Sequence, residues 1–206
     1  MRLVDVHAQL LGMKETVFET SDAAACLKIE NSHASKLLSR LELSGHLVSL
    51  KRGLWAFKDR VEPLALPGYL TSPFPCYISL QSALYYHGMI SQIPAVNYAI
   101  SIARTKRYET ALGTVSIHHV HPSFFFGFET TRKGAARIAT PEKSLIDFLY
   151  LSPAKSHLFQ ALPELEIPKK FRLGRARQMI RRIKSARRKA LVKSLFEDLV
   201  SRSQKA

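Results

Sequence analysis

The stretch NSHASKLLSRLELSGHLVSLKRGLWAF, from Asn31 to Phe57, changes its hydrophobic period halfway along, and this constrains the fold more than any other feature of the chain. In the first half Ala34, Leu37, Leu38 and Leu41 recur at i, i+3, i+4 and i+7, the apolar stripe of an amphipathic helix. Ser32 reads as the N-cap, because its hydroxyl can accept from a free backbone N–H of the first turn. Gly45 suits the left-handed position just past the helix end. The other side carries Ser32, His33, Ser35, Lys36, Ser39 and Arg40, which are short donors and cations without a bulky apolar residue among them. In the second half the runs LVSL and LWAF flank KRG. Gly tolerates positive φ, so a tight turn centred on Arg52-Gly53 makes a hairpin with Lys51 and Arg52 at its tip.

Upstream, VDVHAQLLG reads as one helix and SDAAACLKI as a shorter one starting near Ser21, followed by a turn at Glu30-Asn31. The order helix, helix, turn, helix, hairpin is that of a winged helix-turn-helix unit, expected over residues 1–62. In such a unit the last helix lies in the major groove with its polar face toward base edges, and the wing touches phosphates or the minor groove. The expected groove readers are therefore Ser32, His33, Ser35, Lys36, Ser39 and Arg40, with Lys51 and Arg52 on the wing. The charges agree: Ser32 to Lys58 holds five basic residues against Glu42 alone. The plainer readings are an ordinary helix with a solvated polar face, or a winged unit that docks protein.

The net charge of +15 calls for a polyanionic partner, either nucleic acid or an anionic membrane surface. Most of it sits in one place. Ile167 to Leu195 holds 12 Lys/Arg and no acid, while the other 19 basic residues nearly balance the 16 acidic ones. LGRARQMIRRIKSARRKALVKSLFEDLV reads as one helix of several turns, with Ala176, Met179, Ile180, Ile183, Ala190, Leu191 and Leu195 as its stripe. The stripe argues for docking on the rest of the protein. Arg175, Arg177, Arg181, Arg182, Lys184, Arg187 and Arg188 then form a second DNA-backbone surface. A membrane-surface helix fits less well, because no aromatic lies on the apolar side before Phe196. Cys26 and Cys76 form no CxxC pair, no apolar run approaches the length of a membrane span, and no signal pattern opens the chain. The expectation is a soluble cytoplasmic protein with no membrane partner.

Between head and tail, residues 63–76 are rich in Pro, Gly and turn residues and read as a linker. A second domain is expected over residues 77–206. SLQSALYYHGMI reads as a helix capped by Ser79 and stopped by Gly88. NYAISIA (Asn97 to Ala103), GTVSIHHV (Gly113 to Val120) and FFFGFET (Phe124 to Thr130) read as strands. RTKRYETALG between the first two reads as an exposed loop or short strand, and its Arg104, Lys106 and Arg107 can grip phosphates. TPEKSLIDFLYL is a well-marked helix, with Thr140 as N-cap, Pro141 at the first position and Glu142 at the positive end of the dipole. Leu145, Phe148 and Leu149 are its buried stripe. The fold class is α+β: the winged unit, then a small α+β domain of helices against a mostly antiparallel sheet, with a basic C-terminal helix.

Two arrangements suggest chemistry and fall short of it. In HHVH, His119 and His121 share a strand face while His118 faces away, and no second ligand cluster has suitable spacing for zinc. Glu142, Lys143 and Asp147 hint at a metal-dependent nuclease, but the two carboxylates are five apart on a helix and point to different sides. No phosphate-binding glycine loop, GxSxG or HExxH occurs. No catalytic residue, metal or cofactor is expected.

YISLQSALYYHGMISQIP, RYETALGTVSIHHV, FFFG and IATPEKSLIDFLYL together resemble the body of the AbiEi-type antitoxins, transcriptional regulators of type IV toxin–antitoxin (abortive-infection) systems. The blocks run from about Tyr77 to Leu151, and with the head in front they cover most of the chain. They are specific in combination and not singly. The resemblance implies that the winged domain binds inverted repeats upstream of its own operon and represses it. It implies that the C-terminal domain counters a co-transcribed nucleotidyltransferase toxin, without requiring a stable complex between the two. The alternatives are a module that binds a toxin or other partner directly, a solitary DNA-binding regulator, and a nucleic-acid-processing enzyme.

Overall fold

The computed structural model describes residues 2–131, 136–152 and 165–203; residues 132–135, 153–164 and 204–206 of the expected second domain lie outside them. The molecule is mixed α+β, with two sheets.

The N-terminal part runs α1 (Leu3–Gly12), β1 (Val17–Glu19), α2 (Thr20–Leu27), α3 (Asn31–Leu43), β2 (Val48–Lys51) and β3 (Leu54–Ala56). β3 pairs antiparallel with both β1 and β2, giving a three-stranded sheet in the order β1-β3-β2. β1 was absent from the sequence-based expectation because three residues are too short to display a period of two. α2 starts at Thr20 with a capping box, in which Asp22 Oδ2 accepts from the Glu19 N–H at 2.7 Å. Val6 and Leu10 of α1, Leu27 of α2 and the α3 stripe enclose Trp55 and Phe57 in one core.

The hairpin sheet is buried on both surfaces. Trp55 joins the core of the head, whereas Val48, Leu50, Leu54 and Ala56 join the core of the body. That is why LWAF is an unbroken apolar run and not an alternating one.

The stretch expected to be a linker is packed structure. After a turn of 3-10 helix at Lys58–Arg60, it carries α4 (Leu66–Thr71) and leads into β4 (Cys76–Ile78). Pro67 fits the first turn of α4, where no N–H is required, and Leu66, Pro67, Leu70 and Thr71 are buried. Turn-prone composition concealed three apolar anchors.

The body continues with α5 (Leu80–Tyr86), β5 (Val96–Ser101), β6 (Lys106–Thr110), β7 (Gly113–His119), β8 (Phe128–Thr130), β9 (Arg137–Ala139), α6 (Pro141–Leu151), α7 (Leu173–Arg181) and α8 (Ala186–Ser203). Its six-stranded sheet has the order β6-β7-β5-β4-β9-β8. The β6/β7, β4/β5 and β8/β9 pairs are antiparallel, but β5/β7 and β4/β9 are parallel. The sheet is thus mixed, not mostly antiparallel. β6 skips the place beside β5, and β7 returns into it.

FFFGFET is a strand only in its last three residues; Pro122–Phe124 is a 3-10 turn. The Phe124 and Phe126 rings instead close around Lys143 of α6, and Gly127 takes φ +78 with no room for a Cβ, which would lie 3.1 Å from Lys143 Cγ. Tyr77 of β4 bonds Asp147 of α6, whereas Cys76 and Ile78 line a cleft with Leu64 and Gly68. α4 and α6 therefore cover opposite faces of the sheet.

The tail is two helices, not one. Arg182–Ser185 breaks it, so the buried positions change phase. Ala176, Met179, Ile180 and Ile183 are buried as expected, but Val192, Phe196 and Val200 replace Ala190, Leu191 and Leu195. α7 and α8 both pack on α6, so docking on the body is as the stripe required.

Candidate nucleic-acid interface

Burial of Ala34, Leu37, Leu38 and Leu41 against α1 and α2 fixes the roll of α3 about its axis. Ser32, His33, Ser35, Lys36, Ser39 and Arg40 are consequently all exposed, on the side away from the core. The helix starts at Asn31, one residue before the expected cap. Glu30 is the N-cap, and its carbonyl accepts from the His33 N–H at 3.0 Å and the Ala34 N–H at 2.9 Å. Ser32 therefore lies inside the first turn and caps nothing. Lys28 ends α2 in the left-handed region at φ +55, which leaves Ile29 and Glu30 to make the turn into α3.

Glu42 is the one acid between Ser32 and Lys58, and it is half-buried. Its Oε1 accepts from the Ser49 N–H at 2.8 Å, joining α3 to β2. At the hairpin tip Gly53 takes φ +77 and Arg52 is exposed. Thr20 ties the tip to α2: its N–H donates to the Gly53 carbonyl at 3.0 Å, and its Oγ1 accepts from Trp55 Nε1 at 2.9 Å. Lys51 departs from expectation. Its Nζ donates to the Leu70 carbonyl of α4 at 3.0 Å, and the residue is half-buried. The strand register is irregular between Ser49 and Lys51, and the side chain holds the hairpin to α4 instead of standing free at the tip.

The same Leu70 carbonyl accepts from Tyr108 Oη at 3.4 Å, so β6 runs beside the hairpin. RTKRYETALG is thus largely an edge strand. Arg104, Lys106 and Arg107 are exposed along it, next to the head. Lys106 Nζ lies 4.7 Å from the Tyr108 ring centroid, and Arg107 Nε lies 3.5 Å from Glu109 Oε1. Such exposed pairs are worth little and yield readily to a phosphate.

The tail cations divide in two. Several serve the docking of the tail. Arg188 Nη1 donates to the Tyr150 carbonyl at 2.6 Å, and the Arg182 guanidinium lies 3.5 Å from the Phe126 ring centroid. Arg177 makes a bidentate pair with Glu197 at 2.9 and 2.8 Å, and Arg175 Nη1 is 4.0 Å from Glu142 Oε2. The other group is Arg181, Lys184 and Arg187, which are exposed without an ion pair among the described residues. α7 and α8 lie beyond α6, on the face of the sheet opposite α4 and the hairpin.

The sequence reading missed the most buried polar group in the body. Lys143 and Asp147, one turn apart on α6, form an ion pair in which both side chains are 0 % exposed. Asp147 Oδ2 also accepts from Ser79 Oγ at 2.8 Å and Tyr77 Oη at 3.1 Å. Ser79, expected to cap α5 with its hydroxyl, spends it here. Burial pushes the Lys143 ammonium down and the Asp147 carboxyl up, each opposed by its partner, and burial beside Asp147 holds the Tyr77 phenol well above its usual range. The available signal was the i, i+4 spacing of a lysine and an aspartate within an otherwise apolar helix. Glu142, expected at the helix start, is also buried and accepts from the Arg172 N–H at 2.9 Å, which holds the entry to α7. Sealed from solvent, this cluster joins β4, α5 and α6 in the core of the body.

Each histidine of HHVH has its own partner. His118 is buried on Ser116 Oγ at 3.0 Å, His119 Nδ1 lies 3.2 and 3.1 Å from the Ile102 and Ala103 carbonyls, and His121 Nδ1 pairs with Ser123. No group of three or more His, Cys, Asp or Glu among the described residues could hold a metal ion. No helix among them is long and apolar enough to cross a membrane.

Burial lowers His118 to about 4. The unfolded chain takes up this proton near the usual histidine value, and the folded protein does so only near pH 4. Stability is therefore expected to be independent of this group above about pH 6.5, and to fall by on the order of 3 kcal/mol as pH drops from there to 4. Denaturant unfolding of His118→Asn should lose that segment of the pH dependence; an unchanged profile would remove His118 as its source.

No family model and no curated protein matches the chain.

Proposed function

We propose that the protein is a DNA-binding transcriptional repressor that acts as the antitoxin of a type IV toxin–antitoxin system, with residues 1–62 working as a winged helix-turn-helix unit. One observation carries the DNA-reading part: six polar or basic residues share the free face of α3, while Glu42, the one acid between Ser32 and Lys58, bonds the hairpin through the Ser49 N–H. The element order from α1 to β3, the antiparallel β1-β3-β2 sheet and the exposed Arg52 at its turn support it. The cations of β6 extend the basic surface beside that hairpin and suit a phosphate backbone running past α3.

The antitoxin part rests on the resemblance of the body blocks. The structure adds a physical reason for those blocks to occur together. Tyr77 and Ser79 come from one block, Phe124 and Phe126 from another, and Lys143 and Asp147 from a third, and all meet in one buried cluster. On this reading the protein works in the cytoplasm on a duplex with inverted repeats and opposes a nucleotidyltransferase toxin encoded beside it. It performs no catalytic step itself.

The test is binding of the purified protein to its own upstream region and to a scrambled duplex of equal length, across a salt series. The upstream region should bind more tightly, and the preference should survive moderate salt. Each neutralised phosphate should add about 0.9 to the negative log–log slope. Equal and steeply salt-dependent binding of both duplexes would defeat the repressor reading. Rescue of growth when the chain is expressed with the nucleotidyltransferase reading frame next to it tests the antitoxin part separately.

A further inference from the structure

We propose that the groove between α7 and α8 binds an oligophosphate, either a nucleoside triphosphate or an inorganic phosphate chain, at a site separate from the DNA-reading face. The break at Arg182–Ser185 folds α8 back beside α7. Arg177 and Arg181 are four apart on α7, and Lys189 and Lys193 are four apart on α8, so each pair occupies one face of its helix. The two faces meet across a cavity of about 440 Å³, with Ile180 as its apolar wall and Glu197 as its only acid. That volume falls within the range of small-ligand sites, roughly 300–1,000 Å³.

The charge of the groove is what needs an explanation. Glu197 is occupied by the bidentate contact from Arg177, and Lys193 stands close enough to help hold its carboxylate below the usual range. Arg181 and Lys189 have no carboxylate partner among the described residues. Like charges drawn into one concavity repel one another, and the concavity focuses their field. Docking of the helices does not require this, since Ala176, Ile180, Val192 and Phe196 supply the buried contacts. A short chain of phosphates relieves the repulsion along the whole groove. A guanidinium fork and an ammonium from facing walls suit its oxygens, and the Arg177–Glu197 pair closes one end.

Placement separates this site from the operator surface. The groove lies beyond α6, whereas α3, the hairpin and β6 gather at the α4 side of the sheet. No residue of α3, the hairpin or β6 lines the groove, so the inference stands without the operator reading.

Calorimetry on the full chain with sodium tripolyphosphate and with ATP tests it, with a short scrambled duplex as the nucleic-acid arm. Both small ligands should bind. The double variant Arg181→Ala/Lys189→Ala should weaken them by at least about tenfold, as expected for lost charge-assisted hydrogen bonds. Lys169→Ala/Lys170→Ala removes the same charge from exposed positions outside the groove and should leave their affinity within about twofold. Both variants should melt as the unmodified protein does. Tighter binding of ATP than of tripolyphosphate assigns the site to a nucleotide, and equal binding assigns it to the phosphate chain alone. No heat with either ligand, equal losses in both double variants, or binding of the duplex only would overturn the proposal. A variant of α3 that loses the operator but still binds ATP would separate failure of the repressor reading from failure of this one.

Discussion

Lys143→Met, with Asp147 left in place, is expected to cost about 3–5 kcal/mol of folding stability, because it leaves a charge in the core without its counter-ion. Neither side chain reaches solvent, so water cannot replace the lost ammonium. Ser79 and Tyr77 still donate to Asp147, but two neutral donors do not balance a buried carboxylate. The variant is expected to hold a proton on Asp147 instead. A carboxyl whose folded pKa lies above its unfolded value binds more protons when folded, so its stability falls as pH rises through that interval. Lys143→Met should therefore be least damaging in mild acid and worst at neutral pH. The paired variant Lys143→Met/Asp147→Leu should recover most of the loss, since apolar replacement of a whole buried pair is often neutral. Urea unfolding of the single and paired variants at two pH values decides it. A single variant within about 1 kcal/mol of the unmodified protein would mean that the core near Phe124 and Phe126 opens to water.

The second large effect concerns DNA. Lys36→Ala/Arg40→Ala should weaken binding to the upstream region by about 2–6 kcal/mol, from about 1–3 kcal/mol for each residue that meets a base edge. Both residues stand on the free face of α3 and neither supports the core, so the melting temperature should hardly move. The informative quantity is the difference between duplexes. Greater loss on the upstream region than on a scrambled one assigns base reading to α3. Equal loss on both assigns these cations to phosphates, and a smaller salt slope should accompany it.

The parts of the fold that were legible in the sequence are those with a sustained period. α3 shows Ala34, Leu37, Leu38 and Leu41 at helical spacing, and all four are buried. Thr140 and Pro141 mark the start of α6, and Thr140 Oγ1 accepts from the Lys143 N–H as a cap should. What escaped was either short or set by distant partners. β1 and β4 have three residues each, and they exist because β3 and β5 offer them edges. The parallel β5/β7 pairing joins strands whose order along the chain does not reveal their neighbours. The aromatic run at Phe124 has strand propensity, but its rings turn toward an ammonium supplied by another element.

The candidate interface divides in the same way. The exposed face of α3 follows from its buried one, so its six residues could be read locally. Lys51, Arg182 and Arg188 could not be, because two carbonyls and an aromatic ring elsewhere in the chain claim them. Charge in a sequence indicates a partner of opposite sign; only the fold distinguishes a solvent-facing cation from one used internally.

The hairpin sheet, wedged between the helices in front of it and the body behind it, leaves no hinge between them. An apolar layer on each surface resists both sliding and swinging of the hairpin against the two cores. A tethered head would adapt to half-sites at several spacings. On the proposed function, a solid one transfers any misfit to the duplex, whose bending energy depends on its sequence. Base pairs that no side chain touches would then contribute to the choice of site.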